Sequence, residues 1–271
     1  MLGNYLRNLL LLFKMMIKKP QNFLQVLKNV SSSCQAHEFT ELYSCKNLKD
    51  HSLSEMNKDN PLWEYFQNKS GNGIWKWEHY FDIYHKHFQH FIGKKVSILE
   101  IGVYSGGSLE MWRSYFGDNC QVYGVDIEPA CKNYENSYTN VFIGDQEDRS
   151  FWKQIKQDIP EVDIVIDDGG HMTEQQRITL EEMLPFINPG GVFLCEDVHG
   201  RFHRFASFAA SLTSDLHLKT STSAFTANTS SFQESIKGIF FYPYVVVIEK
   251  NLFRQKTFNS HKHGEKWQPF L

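Results

Sequence analysis

Two short runs in the middle of the chain carry acids and histidines at a spacing that could do chemistry. Asp163 to His171 reads DIVIDDGGH, and Asn188 to Gly200 reads NPGGVFLCEDVHG. Each is an apolar stretch ending in paired acids, with a histidine close behind. The groups are Asp167, Asp168 and His171 in the first run, and Glu196, Asp197 and His199 in the second. If the two stretches are neighbouring parallel strands, their carboxyl ends open onto one crevice, where α/β sheets bind ligands. Four carboxylates crowded there repel one another unless a cation sits between them. Hard oxygen donors select Mg²⁺ or Mn²⁺. Such an ion lowers the pKa of an oxygen bound to it and orients that oxygen. A neutral histidine can then take the proton, an effect of about 10²–10⁴-fold. His171 is the expected base and His199 the alternative.

A second constellation lies upstream. Ile98 to Ser108 reads ILEIGVYSGGS, an apolar strand running into a glycine-bearing turn that opens a helix. Glycine lets the backbone turn tightly and approach a ligand, and helix N-terminal amides favour an anionic group. Glu100, Gly102, Tyr104 and Ser108 are the candidate contacts. Asp126 ends the next strand, at about the 20-residue spacing of an acid that grips ribose hydroxyls. Asp145 and Gln146 end the third strand, where an acid or amide can border adenine. A nucleoside is therefore expected. The G-x-G-x-x-G of a dinucleotide fold is broken, since Tyr104 takes the place of its middle glycine. The acid-x-G opening resembles, with departures, that of class I methyltransferases, and the resemblance implies S-adenosylmethionine (SAM) as cofactor. The sulfonium of SAM is a good leaving group. What an alcohol lacks is nucleophilicity at neutral pH, and the metal and histidine would supply it.

The elements that must position these groups alternate. Strands are expected at Val96–Ile101, Gln121–Asp126, Asn140–Gly144, Asp163–Asp167 and Gly191–Glu196. Helices are expected at Ser108–Phe116, Phe151–Gln157 and Thr173–Ile187, with another over 201–217. That alternation predicts a parallel sheet with right-handed crossovers. A helix over Trp75–Phe91 precedes it. The serine- and threonine-rich run 219–235 reads as loop, and GIFFYPYVVVIEK as a terminal hairpin broken near Pro243. Residues 1–30 read as helix with a break at Pro20, and 31–60 as a polar linker. The predicted domains are an extension over 1–70 and a catalytic domain over 71–271.

Taken together, ILEIGVYSGGS, YGVDI, GDQED, DIVIDDGGH, FINPGGVFLCEDV and FFYPYVVVIEK resemble the metal-dependent sugar O-methyltransferases of macrolide biosynthesis. They also resemble related sequences called cephalosporin hydroxylases. The similarity spans about residues 75–250, and the helix WKWEHYFDIYHKHF also resembles a cofactor-covering helix of that family. The resemblance implies a Rossmann-like class I methyltransferase fold, a mostly parallel seven-stranded sheet with helices on both faces and a C-terminal β-hairpin. It implies that Asp168, Glu196 and Asp197 hold the metal and that His171 is the base. Asp167 stays open as the competitor of Asp168. The glycine at the third position of DDGGH departs from the serine common in the family. The implied acceptor is a hydroxyl on a sugar, glycan or glycosylated natural product.

Composition sets the bounds. The 271 residues are 41% hydrophobic and 15% aromatic, enough for a sizeable core. A net charge of −3 argues against a nucleic-acid partner. Five cysteines without a C-x-x-C pair fit a reducing, cytoplasmic setting. His85, His87 and His90 do not converge at helical spacing and read as a solvated face. The aromatics from Trp63 to Phe81 read as core and cofactor cover. No G-x-S-x-G elbow or P-loop is present. Residues 1–19 put Leu6, Leu9, Leu10, Phe13 and Ile17 on one helical face and Arg7, Lys14 and Lys18 on another. That pattern suits docking on the domain or on a partner subunit, including self-association, or peripheral contact with an anionic membrane. The competing functional readings are a nicotinamide-dependent oxidoreductase on a similar sheet and a non-catalytic scaffold.

Overall fold

The computed structural model describes residues 2–43, 59–200, 204–221 and 225–265. The linker expectation over 44–58 and residues 201–203 of the expected helix lie outside them. The chain divides into two compact units, Met1–His51 and Ser52–Leu271.

The first unit is a pair of helices, α1 (Leu2–Lys18) and α2 (Pro20–Leu42). Pro20 is the first residue of α2, where its missing N–H costs nothing. It therefore separates two helices. The expected change to irregular structure at residue 31 does not occur, because α2 continues to Leu42. The three serines are weak helix formers, but no glycine or proline interrupts the stretch, and Gln35, Ala36, Glu38 and Glu41 favour helix. No described helix is long and apolar enough to cross a membrane.

The second unit is built on a seven-stranded sheet. Its strands are β1 (Val96–Ile101), β2 (Cys120–Asp126), β3 (Thr139–Ile143), β4 (Val162–Asp167), β5 (Ile187–Cys195), β8 (Ile236–Tyr242) and β9 (Val245–Lys250), in the order β3-β2-β1-β4-β5-β9-β8. The first five are parallel, and β9 runs antiparallel to both β5 and β8. This is the expected seven-stranded class I arrangement with its terminal hairpin. Strand side chains alternate between two cores. Ile98, Ile164 and Val192 face one helical layer with Trp112 and Tyr84, while Leu99, Val165 and Phe193 face the other with Trp152 and Leu180. Such near-continuous apolar strands are what a sheet covered on both faces requires.

Three expectations change. The helix preceding the sheet spans only Tyr80–Phe88, followed by a 3₁₀ turn at Gln89–Phe91, and Trp75–His79 lie outside it. Polar contacts hold that segment, as the site geometry below makes plain. The run 219–235 is not wholly loop. It contains β6 (Thr220–Ser221), β7 (Thr226–Asn228) and a short helix, Ser231–Ser235, capped by Ser230 and Gln233 in a reciprocal box. Finally, the helix Pro61–Gln67, which the sequence reading grouped with the extension, falls in the second unit. Asn60 caps it through Leu62 N (3.0 Å) and donates to Phe81 O (2.8 Å), and Leu62 and Trp63 are buried in the domain core.

Candidate active site

The carboxyl ends of β1 and β4 mark the point where strand order reverses, the usual place for a ligand crevice. The turns leaving them are stacked tightly. Asp168 N donates to Ile101 O (3.0 Å) and Gly102 N to Val125 O (2.8 Å). Gly102 has φ +90, and a Cβ there would stand 2.0 Å from the Asp168 carbonyl, so only glycine fits. The described non-glycine residues at positive φ are Tyr104, His171, Asp197 and Tyr244. The first three line one cavity, and the Tyr244 ring lies 5.0 Å from that of His199 at its edge. Backbone strain of about 1–3 kcal/mol per residue is thus concentrated around this crevice.

The cavity holds about 720 Å³, enough for a nucleoside and part of an acceptor. Gly102, Tyr104, Asp126, Asp145 and Gln146 are among the residues that line it. Asp126 is oriented by backbone amides: Oδ2 accepts from Val103 N (2.8 Å) and Tyr104 N (3.0 Å), and Oδ1 from Glu128 N (2.9 Å). A carboxylate has about four acceptor sites, so capacity for hydroxyl donors remains. Two candidates take other places. Glu100 and Ser108 do not line the cavity; the Ser108 hydroxyl donates to Glu100 Oε2 (2.7 Å), and both are buried. Gln146 lines the wall, but its amide works inward. It donates to Asp167 Oδ1 and Thr179 Oγ1 (3.1 Å each) and accepts from Gly170 N (2.7 Å), fixing the DDGGH turn.

At the acid end the two aspartates of the pair separate. Asp167 is fully buried, accepts from Gln146 and from Gly169 N (3.3 Å), and burial pushes its carboxyl up to about 6. Asp168 opens into the cavity. One donor atom each from Asp168, His171 and Asp197 lies within 4.8 Å of the others, a set that a hard cation could bridge. His171 Nε2 is 3.5 Å from Asp197 Oδ2, and His199 Nε2 is 3.8 Å from Asp197 Oδ1. Tyr80 and Trp77 also donate to Asp197 Oδ1, at 2.8 and 3.0 Å.

Glu196 sits differently. Its carboxylate is fully buried and accepts from Tyr84 OH (2.7 Å) and from Lys76 Nζ (2.9 and 3.0 Å). Lys76 also reaches Asp168 Oδ2 (2.6 Å) and lies 3.6 Å from Glu100 Oε1. Burial pushes the Asp168, Glu196 and Glu100 carboxyls up, with Lys76 opposing. Burial would also pull the Lys76 ammonium down, but those carboxylates outweigh it and hold its pKa above the ordinary lysine value. The sequence reading missed Lys76. The signal was a lone lysine between Trp75 and Trp77, which a helical reading left with no special role.

The chain has counterparts among known proteins. A methyltransferase-domain family matches residues 99–198. Together with the strand order, that gives the sheet core the fold of class I methyltransferases. The chain is similar to several O-methyltransferases. It is 32% identical over 166 residues to demethylmacrocin O-methyltransferase of Streptomyces fradiae, covering 59% of this chain and 39% of that one. It is 35% identical over 141 residues to mycinamicin VI 2''-O-methyltransferase of Micromonospora griseorubida, covering 49% and 34%. The chain thus spans less than half the length of these curated relatives. The solved MycE methyltransferase of the mycinamycin pathway, in complex with Mg and SAH, superposes with a TM-score of 0.57 at 27% identity, covering 75% of this chain and 55% of that one.

Proposed function

We propose that this protein methylates a hydroxyl on the sugar of a glycosylated small molecule, using SAM and a divalent cation, Mg²⁺ or Mn²⁺. The observation that carries the reading is the convergence of Asp168, His171 and Asp197 in the same cavity as Asp126 and the Gly102 turn. An acid-lined corner that suits a hard cation and a nucleoside-sized end share one space, as methyl transfer to an activated hydroxyl requires. The names of three relatives, O-methyltransferases of rhamnosyl-tetracenomycin C derivatives and of L-olivosyl-oleandolide, support the acceptor class. A nicotinamide reading leaves the clustered acids without a task.

The donor set fits the cation. When bound, SAM supplies an activated methyl group and the cation lowers the pKa of the acceptor hydroxyl. Asp168 and Asp197 would hold the cation, with Glu196 as third ligand. Asp126 would accept from the ribose hydroxyls, and Gly102 and Tyr104 would lie along the cofactor. Asp145 would border the adenine. His171, beside Asp197, takes the acceptor proton at Nε2, and the acid beside it stabilises the imidazolium that forms. Trp77 and Tyr80 fix the Asp197 carboxylate while this happens. We also place peripheral membrane contact or self-association with residues 1–19, on the apolar face argued below.

The test is methyl transfer to a glycosylated acceptor. Chelation should abolish transfer while leaving SAM binding intact. His171→Ala should slow transfer by about 10²–10⁴-fold with Mg²⁺ affinity little changed. Undiminished transfer in strong chelator would defeat the reading, and tight NAD binding would favour the oxidoreductase.

A further inference from the structure

The proposed reaction does not use Lys76, which joins two members of the expected ligand set. Its side chain is 3% exposed. It binds Asp168 at 2.6 Å and both oxygens of Glu196 at 2.9 and 3.0 Å, and it stands 3.6 Å from Glu100. Two of the three carboxylates expected to hold a cation are therefore already joined by an ammonium. Both Glu196 oxygens accept from this ammonium, and Glu196 is not in the set in which Asp168, His171 and Asp197 converge.

Trp75–His79 has no regular secondary structure, Trp75 is 85% exposed and Trp77 is 50% exposed. This strap carries Lys76, and its neighbour Trp77 donates a hydrogen bond to Asp197, the remaining expected ligand. A dication among these carboxylates would leave the ammonium with strong like-charge repulsion at close range. Only one of the two can sit at the centre of the cluster.

We propose that Lys76 is a tethered stand-in for the metal: it closes the acidic cluster in the metal-free protein and is displaced when the divalent cation binds. This rests on the metal-assisted reading above. Its consequence is that metal loading releases Glu196 to complete the ligand set and shifts the Trp75–Trp77 strap at the acceptor side of the cavity. Metal affinity is thereby set lower than the carboxylates alone would give, and metal binding becomes coupled to the arrangement of the strap.

The test uses full-length, metal-free protein and MgCl₂. Calorimetric titration of wild type and Lys76→Met should show Mg²⁺ binding tightened by about tenfold or more in the variant, since each 1.4 kcal/mol of removed competition is tenfold. In parallel, amine-reactive labelling of wild type, read by mass spectrometry at Lys76, should be low without metal and rise severalfold with Mg²⁺. The labelling arm needs no variant, so it decides the matter even if Lys76→Met folds poorly. Equal or weaker Mg²⁺ binding by a folded Lys76→Met overturns the stand-in, as does labelling that Mg²⁺ leaves unchanged. Labelling blocked by SAM but indifferent to Mg²⁺ also overturns it, making Lys76 a cofactor contact. Mg²⁺ binding by neither protein would overturn this inference together with the metal-assisted reading. Mg²⁺ binding to wild type without displacement overturns this inference alone.

Discussion

Asp167 and Asp168 are neighbours in sequence and have separate tasks in the fold. Strand alternation explains it: Asp167 is the last residue of β4 and turns inward to Gln146, while Asp168 begins the turn and opens to the cavity. The sequence could place the pair at a strand end but could not choose between its members, because that choice depends on where β4 stops. Asp168→Asn should therefore remove most Mg²⁺ binding with little effect on melting temperature. Asp167→Asn should leave Mg²⁺ binding nearly intact, with its effect confined to the packing of the DDGGH turn. Calorimetry and thermal melts on the two variants check this, and the reverse pattern would move the ligand by one residue. Asp126, Gly102 and Tyr104 were legible for a similar local reason, since strand–turn–helix chemistry is written in consecutive residues. Glu100, Ser108 and Lys76 were not. The first two face each other beneath the cavity, and Lys76 meets acids 92 and 120 positions away, a pairing no local spacing encodes.

At the scale of elements, the strands were readable because buried parallel strands are short apolar runs between glycine-rich turns. The helix before the sheet was not, because aromatics at helical spacing continue upstream of the point where Lys76, Trp77 and Tyr80 are drawn to the acids. That helix is fastened at its other end by a contact the sequence reading treated as a solvated face. His87 is 2% exposed; Nδ1 pairs with Glu249 Oε1 on β9 (2.7 Å), and Nε2 meets Tyr242 OH on β8 (2.9 Å). Lys237 on β8 reaches Glu249 Oε2 (2.7 Å). The His87 hydrogen bond, aided by Lys237, holds the Glu249 carboxyl down at about 2, below its ordinary 4.5. A depressed acid contributes stability above its unfolded pKa and loses it as pH falls through the folded value. The contribution is therefore whole above about pH 5 and disappears between there and about pH 2. Glu249→Gln should lower stability near neutrality by about 1–3 kcal/mol, the scale for a hydrogen bond to a charged group. It should also flatten the acid limb of a melting-temperature profile. An unchanged acid limb would mean the helix–hairpin tie carries little.

At the scale of the whole molecule, the first unit poses a separate question of chemistry. In α1, Leu9, Leu10, Phe13 and Ile17 are each more than half exposed, an apolar surface that water would not favour. Lys14 and Lys18 lie on the same helix, with no acid in its first turn. Apolar face and basic residues together suit a helix lying in an anionic headgroup layer, where buried apolar area supplies affinity and lysines supply attraction. Full-length protein should then co-sediment with phosphatidylserine-containing vesicles and do so less with neutral ones. Raising salt to about 1 M, where the screening length falls to about 3 Å, should weaken the electrostatic share. Lys14→Glu with Lys18→Glu should reduce binding to anionic vesicles, while Leu10→Glu with Phe13→Glu should reduce binding to any vesicle. Methyl transfer to a soluble acceptor should survive both pairs, because none of these residues belongs to the cavity. If wild type stays in the supernatant at low salt, and light scattering gives a multiple of the chain mass that Leu10→Glu with Phe13→Glu dissolves, the face is a contact between copies. That result would give the extension an assembly role in place of a membrane one.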